Sequence, residues 1–141
     1  MTKKSLLKLF VTIVSICLLL CSCDLSKNIE YYSQKENYID VTGTVSFINY
    51  NEADTELYIG LSEISPVLDD TCFKIVGENL EIVKDNDIDN KLQIGAQITL
   101  MTAPKYFGDG YVMPIVAISI SGENLLEFEE GYKNLLDWLS E

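Results

Sequence analysis

Val41-Thr-Gly-Thr-Val-Ser-Phe47 is the stretch that decides the fold, because apolar residues and one glycine alternate in it with Thr and Ser. A period of two places alternate side chains on opposite faces of a β-strand. The stretch Leu57-Tyr-Ile-Gly-Leu61 alternates in the same way and follows a polar segment at 49–55. The sequence therefore predicts two strands that form a hairpin and bury one face.

Three further strands are predicted downstream, over 72–76, 95–102 and 111–120, where apolar and β-branched residues recur between breakers. Pro114 places part of the last strand at an edge or a bulge. The segment 78–92 loses the alternation, which favours a short helix there.

The C-terminal stretch changes its period. Its apolar residues follow the spacing i, i+4, i+7, i+8 and i+11 that is typical of an amphipathic helix, which is predicted over 124–140. These residues are Phe128, Tyr132, Leu135, Leu136 and Leu139.

Three strands, a helical segment and two more strands resemble the five-stranded barrel of the OB-fold over 39–120. Gly43 inside the first strand and Leu92-Gln-Ile-Gly-Ala-Gln-Ile98 before the fourth also fit that resemblance. It implies a small, mainly β domain of the α+β class, with the C-terminal helix closing the barrel. Other small β-barrels and an α+β sandwich give similar patterns.

The N-terminus is built like an export signal. Lys3, Lys4 and Lys8 precede an apolar run at 9–20 whose only polar members are Thr12 and Ser15. This run is shorter than the ~20 apolar residues that a transmembrane helix needs. The pattern is typical of a signal peptide that is cleaved after export.

Leu20-Cys-Ser-Cys23 closes that segment and resembles the lipobox of bacterial lipoproteins. The resemblance implies cleavage after Ser22 and lipidation of Cys23, with the protein held on the outer face of the cytoplasmic membrane, or in the periplasm of a Gram-negative cell. The predicted divisions are a signal peptide at 1–22, a lipidated flexible tether at 23–37 and one OB-like domain at 38–141. A plain cleaved signal and an uncleaved anchor helix are the alternatives.

Removal of 1–22 leaves seven basic and 22 acidic residues, a formal charge of −15. Nucleic-acid binding requires clusters of cations that displace phosphate counterions, so nucleic acid is excluded as a partner. A cationic peptide, a divalent cation and a neutral sugar remain compatible with this charge.

No catalytic motif is recognisable. The chain has no His, so the usual base beside a nucleophilic Ser or Cys is missing. Cys72 lies in an apolar run and is interpreted as a small buried residue. No cofactor is predicted.

Asp85, Asp87 and Asp89 match the first three ligand positions of an EF-hand-like loop. The rest of that pattern fails, because Asn90 stands where Gly is needed and Ala96 where the bidentate Glu should be. A solvated acidic loop is the preferred interpretation, and weak cation binding is the alternative.

The OB-fold resemblance implies a ligand face around strands two and three, flanked by the loops that join strands one to two and four to five. Tyr50 lies in the first loop, and Tyr106, Phe107 and Tyr111 lie in the second. Tyr106, Phe107 and Tyr111 are candidates for a stacking platform for a sugar ring or a peptide side chain, and Tyr50 is a candidate ligand-binding residue in the other loop. The preferred interpretation is that Tyr106 and Phe107 pack back over the mouth of the barrel.

The sequence thus predicts a lipid-anchored binding module of a bacterial envelope, with a protein, peptide or glycan as its ligand. The competing class is a small envelope hydrolase or lyase that uses carboxylates and Tyr. It would need acidic side chains that converge in a cleft.

Overall fold

The protein is described by a computed structural model that covers residues 2–106 and 111–141, with the backbone alone for 14–28. A 3₁₀ helix at Lys35–Asn37 follows the first helix. The helices are α1 (Lys3–Tyr32), α2 (Gly77–Asp85), α3 (Ile88–Lys91) and α4 (Phe128–Leu139). The strands are β1 (Ile39–Tyr50), β2 (Glu56–Ser65), β3 (Cys72–Val76), β4 (Gln97–Thr102), β5 (Met113–Pro114), β6 (Ala117–Ile120) and β7 (Glu123–Leu126). Within these ranges, no helix combines the length and the hydropathy that crossing a bilayer requires.

The strands form one seven-stranded sheet in the order β5-β3-β2-β1-β4-β6-β7. The fold is therefore α+β, as predicted, but the five-stranded closed barrel is not confirmed, because this sheet is open. The predicted fifth strand is interrupted at Ile115 and Val116. Its first part, β5, pairs in parallel with β3, and its second part, β6, pairs antiparallel with β4.

The β1–β2 hairpin forms as expected, but its register shifts at two places, between Thr42 and Thr44 and between Val45 and Phe47. The second shift is the signature of a β-bulge. Val45 is buried, whereas Phe47 is 47 % exposed. The prediction that Phe47 faces the interior is therefore wrong, since the bulge turns it to the outer face of the sheet.

The main core covers the inner face of the sheet. Alternate residues of β1, β2 and β4 supply it, together with the apolar sides of α2 and α3. Its most completely buried large side chains include Leu57, Ile59, Phe73, Ile75 and Leu100.

A second apolar cluster lies where α4 and the end of α1 pack against the chain beside β4 and β5. α4 begins at Phe128, later than the predicted 124, because 123–126 form β7. Gly131 allows this helix to approach closely, since a Cβ there would lie 1.8 Å from the carbonyl oxygen of Val116. The buried members are Tyr32, Tyr38, Val76, Ala103, Val116 and Leu135.

The end of the predicted tether at 23–37 belongs to this second cluster. α1 continues to Tyr32, whose side chain is fully buried. Tyr38 donates a hydrogen bond of 2.7 Å from its hydroxyl to the carbonyl oxygen of Tyr32. A flexible tether would leave these rings in water, so burial of aromatic surface accounts for the ordered packing.

Candidate ligand-binding site

Tyr106 and Tyr111 form an exposed aromatic pair beside the start of β3. Their ring centroids lie 5.3 Å apart and the ring planes meet at 84°, an edge-to-face arrangement. Tyr106 is 38 % exposed and Tyr111 is 74 % exposed. The two predicted platform residues are thus brought together on the surface. Phe107, the third, lies outside the described residues.

Strand pairing explains why this loop meets the segment before β3. Phe73 of β3 is the partner of Met113 in β5, and the two strands are parallel. Parallel strands begin at the same end of a sheet, so Asp70, just before β3, and Tyr111, just before β5, lie at one edge. The hydroxyl of Tyr106 donates a hydrogen bond to Oδ2 of Asp70.

A cavity of about 260 Å³ opens beside Tyr106. Its walls combine apolar surface with two acidic side chains, Asp69 and Asp70. Such a mixture suits a ligand group that has both an apolar stem and a positive end. We call it the Tyr106 cavity, and its remaining lining residues are Leu68, Pro104, Lys105, Tyr106 and Met113.

The ammonium of Lys105 is directed to another part of the molecule. Its Nζ lies 4.7 Å from the ring centroid of Tyr31, within the range of a cation–π contact. The charge of this lysine is therefore engaged beside α1. The carbonyl of Lys105 accepts a hydrogen bond of 2.7 Å from the hydroxyl of Tyr32, which ties the loop to the second apolar cluster.

Tyr106 acts as a hydrogen-bond donor at neutral pH. Its hydrogen bond to Asp70, with smaller contributions from desolvation and from the negative charges of Asp70 and Asp69, raises the pKa of Tyr106 to about 12. Ionisation would place a phenolate against a carboxylate, and like charges disfavour each other.

Tyr50 lies in a different environment from the Tyr106 cavity. Its hydroxyl donates a 2.5 Å hydrogen bond to Oδ1 of Asp89, a residue that the alternative of weak cation binding would require as a ligand. The ammonium of Lys84 lies 5.2 Å from the centroid of the Tyr50 ring. Burial and, next, the bond to Asp89 raise the pKa of Tyr50 above its ordinary value. This aromatic residue fastens the β1–β2 hairpin to α3 and does not join the Tyr106–Tyr111 pair.

The acidic run at 85–89 is distributed over different contacts. Asp89 accepts from Tyr50, and Oδ1 of Asp87 accepts a 2.6 Å hydrogen bond from the side-chain amide of Asn90. No group of three or more potential ligand side chains converges in the part of the chain that the structure describes. Asp85, Asp87 and Asp89 are therefore not brought together as ligands.

A polar network on the outer face of β2 and β3 was missed by the sequence analysis. Lys74 is 4 % exposed, and its Nζ lies 3.3 Å from Oε1 of Glu56. The other oxygen of Glu56 accepts a 2.7 Å hydrogen bond from Tyr58, which raises the pKa of Tyr58 to about 12. Glu56 and Tyr58 share a face through the period of two, and Tyr58 is the direct partner of Lys74. The strand register, which the sequence does not contain, was the missing information.

Cys72 is half-buried at the start of β3. Burial raises the pKa of its thiol, which keeps the sulfur protonated and unreactive at neutral pH. The sequence predicted a buried residue here, and the structure shows one that is only half-buried. The side chain of Cys23 lies outside the described residues.

No family model, curated protein or solved structure matches this chain.

Proposed function

We propose that this protein is a lipid-anchored binding module of a bacterial envelope, which captures a basic side chain of a protein or peptide in the Tyr106 cavity. The observation that carries the proposal is that Asp69, Asp70 and Tyr106 surround one cavity, with the exposed ring of Tyr111 against Tyr106. No catalytic step is assigned to this site.

The chemistry of the cavity favours a lysine or arginine side chain. The aliphatic stem of such a residue can lie against Leu68, Pro104 and Met113 while its charged end meets Asp69 and Asp70. An exposed cation–π contact with a tyrosine ring adds about 0.5–1 kcal/mol. A neutral sugar can also stack on the rings and donate hydroxyl hydrogen bonds to the carboxylates, but it lacks the charge attraction that a lysine or arginine gains there.

The charge of the mature chain supports the same ligand class. With a formal charge of −15 over 23–141, the domain attracts a basic segment and repels an acidic one. Charge complementarity of this kind raises association rates and suppresses wrong partners.

An OB-like architecture belongs to this proposal as well. It is supported by the segment 113–120, which pairs with β3 through Met113 and Pro114 and with β4 through 117–120. One chain segment thereby bridges two strands that lie on opposite sides of the β1–β2 hairpin in the sheet order. A single segment that pairs with both of these strands is what an OB-like architecture requires.

Calorimetric titration tests the ligand class directly. The full-length protein in detergent is titrated with a blocked peptide of alternating lysine and alanine, with the matching glutamate peptide and with a neutral chitin tetrasaccharide. We expect heat from the lysine peptide alone, and about tenfold weaker binding after Tyr106→Ala, which corresponds to ~1.4 kcal/mol. Tyr50→Phe serves as the matched control and should leave the affinity unchanged. Binding of the tetrasaccharide in place of the lysine peptide would overturn the proposed ligand.

The anchor has a separate test. Cys23→Ala removes the thiol that the lipid would occupy, so we expect the variant to leave the membrane fraction while the unchanged protein stays there. Two or more acyl chains make a stable anchor, which is why the difference should be nearly complete. Equal fractionation of the two proteins would contradict lipidation.

A further inference from the structure

The segment that follows the proposed lipid anchor is packed onto the domain at a defined place. The side-chain amide of Asn37 donates a 2.9 Å hydrogen bond to the carbonyl of Tyr31, and Tyr132 of α4 donates to the carbonyl of Ser33. Lys35 forms an ion pair of 2.6 Å with Glu129. Exposed ion pairs contribute little, so the burial of Tyr32 is the main source of the packing.

Two of these residues also contact the loop that carries the Tyr106–Tyr111 pair. The hydroxyl of Tyr32 donates to the carbonyl of Lys105, and the ammonium of Lys105 lies over the ring of Tyr31. Lys105 directly precedes Tyr106 in the chain. The anchored segment and the proposed ligand site are thus joined by one hydrogen bond and one cation–π contact.

The length of α1 limits the distance between the Tyr106 loop and the lipid proposed on Cys23. Cys23 and Tyr32 both belong to α1, and nine residues of helix rise about 13.5 Å. When the length of the Tyr32 side chain and its hydrogen bond are added, the carbonyl of Lys105 lies within about 25 Å of the Cys23 Cα. A free tether over 24–37 would have allowed ~45 Å.

We infer that Tyr32 couples the anchored segment to the Tyr106 loop and so presents the Tyr106 cavity at a short, fixed height above the membrane, to the basic segment of a protein attached to the same membrane. This inference rests on the proposed lipidation of Cys23 and on the proposed ligand site. Tyr32 is a positioning residue, because it acts through the backbone of Lys105.

The partner class follows from the geometry. A site held within a few tens of ångströms of the bilayer meets the membrane-adjacent segments of other anchored proteins at high effective concentration. Basic segments are also common next to a bilayer with anionic lipids, which attracts them to the same height. The acidic cavity is complementary to such a segment.

The height is measurable by energy transfer from a fluorophore on the protein to acceptors in the lipid headgroups. The lipidated protein carries Cys72→Ser and one label, either at Tyr111→Cys or at Gln97→Cys. Gln97 is exposed at the start of β4. It lies about 16 Å along the strand from Thr102, the end that leads into the Tyr106 loop. We expect the label at 111 to lie closer to the headgroups than the label at 97, and a Gly/Ser insertion of ten residues after Asp24 to abolish the difference.

Equal heights for the two labels in the membrane-bound protein would overturn the inference and leave the lipid anchor standing. Failure of the unlabelled protein to bind vesicles would instead overturn both the anchor and the inference. The two failures are distinguishable because sedimentation with vesicles reports the anchor alone.

Tyr32→Phe tests the coupling, since it keeps the buried ring and removes the hydroxyl that donates to the carbonyl of Lys105. We expect the affinity for the free lysine peptide to fall about fivefold. We also expect a broader distribution of distances between the label at 111 and the lipid headgroups. Tyr132→Phe is the matched control, because it removes a hydroxyl of the same cluster that bonds to Ser33 and not to the loop. Equal effects of the two substitutions, or no effect of Tyr32→Phe, would contradict the positioning role.

Discussion

Two tyrosine–aspartate hydrogen bonds, Tyr50 to Asp89 and Tyr106 to Asp70, use the same chemistry in different surroundings. The Tyr50 ring packs against the main core and lies under the ammonium of Lys84. The Tyr106 ring stands at the surface beside Tyr111 and a cavity. Both bonds raise the pKa of the tyrosine, and Asp89 is itself exposed, so the two pairs differ in the ring: only the Tyr106 ring stands beside a cavity that a ligand can enter.

The difference shows that a residue pair does not define a function by itself. In the first pair, the bond joins the end of β1 to α3 beside a ring that packs against the main core, so the bond fixes the fold. In the second pair, the partners border a cavity that has further acidic and apolar walls. We therefore assign a structural role to the first pair and propose ligand binding for the second.

The largest expected difference between the pairs is in stability. Tyr50→Ala removes a ring that packs against the core and should lower the free energy of unfolding by about 2 kcal/mol. Tyr106→Ala removes an exposed ring and should lower it by less than about 0.5 kcal/mol. Urea unfolding followed by circular dichroism measures both. A larger loss for Tyr106→Ala would mean that the second pair is structural too.

A smaller difference between the two pairs is expected in how stability declines at alkaline pH. Between pH 10 and 12 the folded state keeps the proton of Tyr106, whose pKa is raised to about 12, while the unfolded state releases it. This contribution to stability is complete below pH 10 and is lost as the pH rises to 12. Unfolding measured from pH 8 to pH 11.5 should therefore show a shallower decline for Tyr106→Phe than for the unchanged protein.

The same pH series at high salt distinguishes the contribution of Tyr106 from that of Tyr50. Tyr106 is solvent-exposed, so 0.5 M NaCl should reduce its alkaline contribution markedly, whereas the contribution of the more shielded Tyr50 should persist. The same series with Tyr50→Phe provides the comparison. An equal salt response of the two variants would contradict the difference in surroundings.

The smallest expected effect concerns calcium. Asp87 and Asp89 accept hydrogen bonds from Asn90 and Tyr50, so a cation would have to displace existing partners. Addition of 1 mM CaCl₂ should shift the melting temperature by less than about 1 °C, because a ligand present well below its dissociation constant adds little stability. Asp85→Asn serves as a control. A shift of several degrees that this substitution removes would restore the cation site.

Local patterns in the sequence predicted much of the fold. Alternation located β1 and β2, and the helical period located α4, because both depend on one face of a single element being buried. The bulge before Phe47 was not predictable, since it depends on the pairing with β2. The open sheet also escaped prediction, because two residues between β5 and β6 divide one apparent strand.

The candidate site was predicted only in part, because local patterns identify residues that are close in the sequence but not their distant partners. Tyr106 and Tyr111 are close in the sequence, and their loop was identified from its composition. Asp70 is 36 positions from Tyr106, and no pattern in the sequence connects the two. The packing of Tyr32 is likewise a tertiary contact, made 73 positions away at Lys105.

The most direct test of the central claim is the affinity for the lysine peptide after Asp70→Asn compared with Asp89→Asn. An asparagine side chain still accepts a hydrogen bond from its tyrosine, so each substitution mainly removes one negative charge. The ligand role of the second pair predicts about tenfold weaker binding for Asp70→Asn and unchanged binding for Asp89→Asn, measured by calorimetry at low salt. Equal losses for the two variants would mean that the peptide responds to net charge alone, which would contradict a binding site at the Tyr106 cavity.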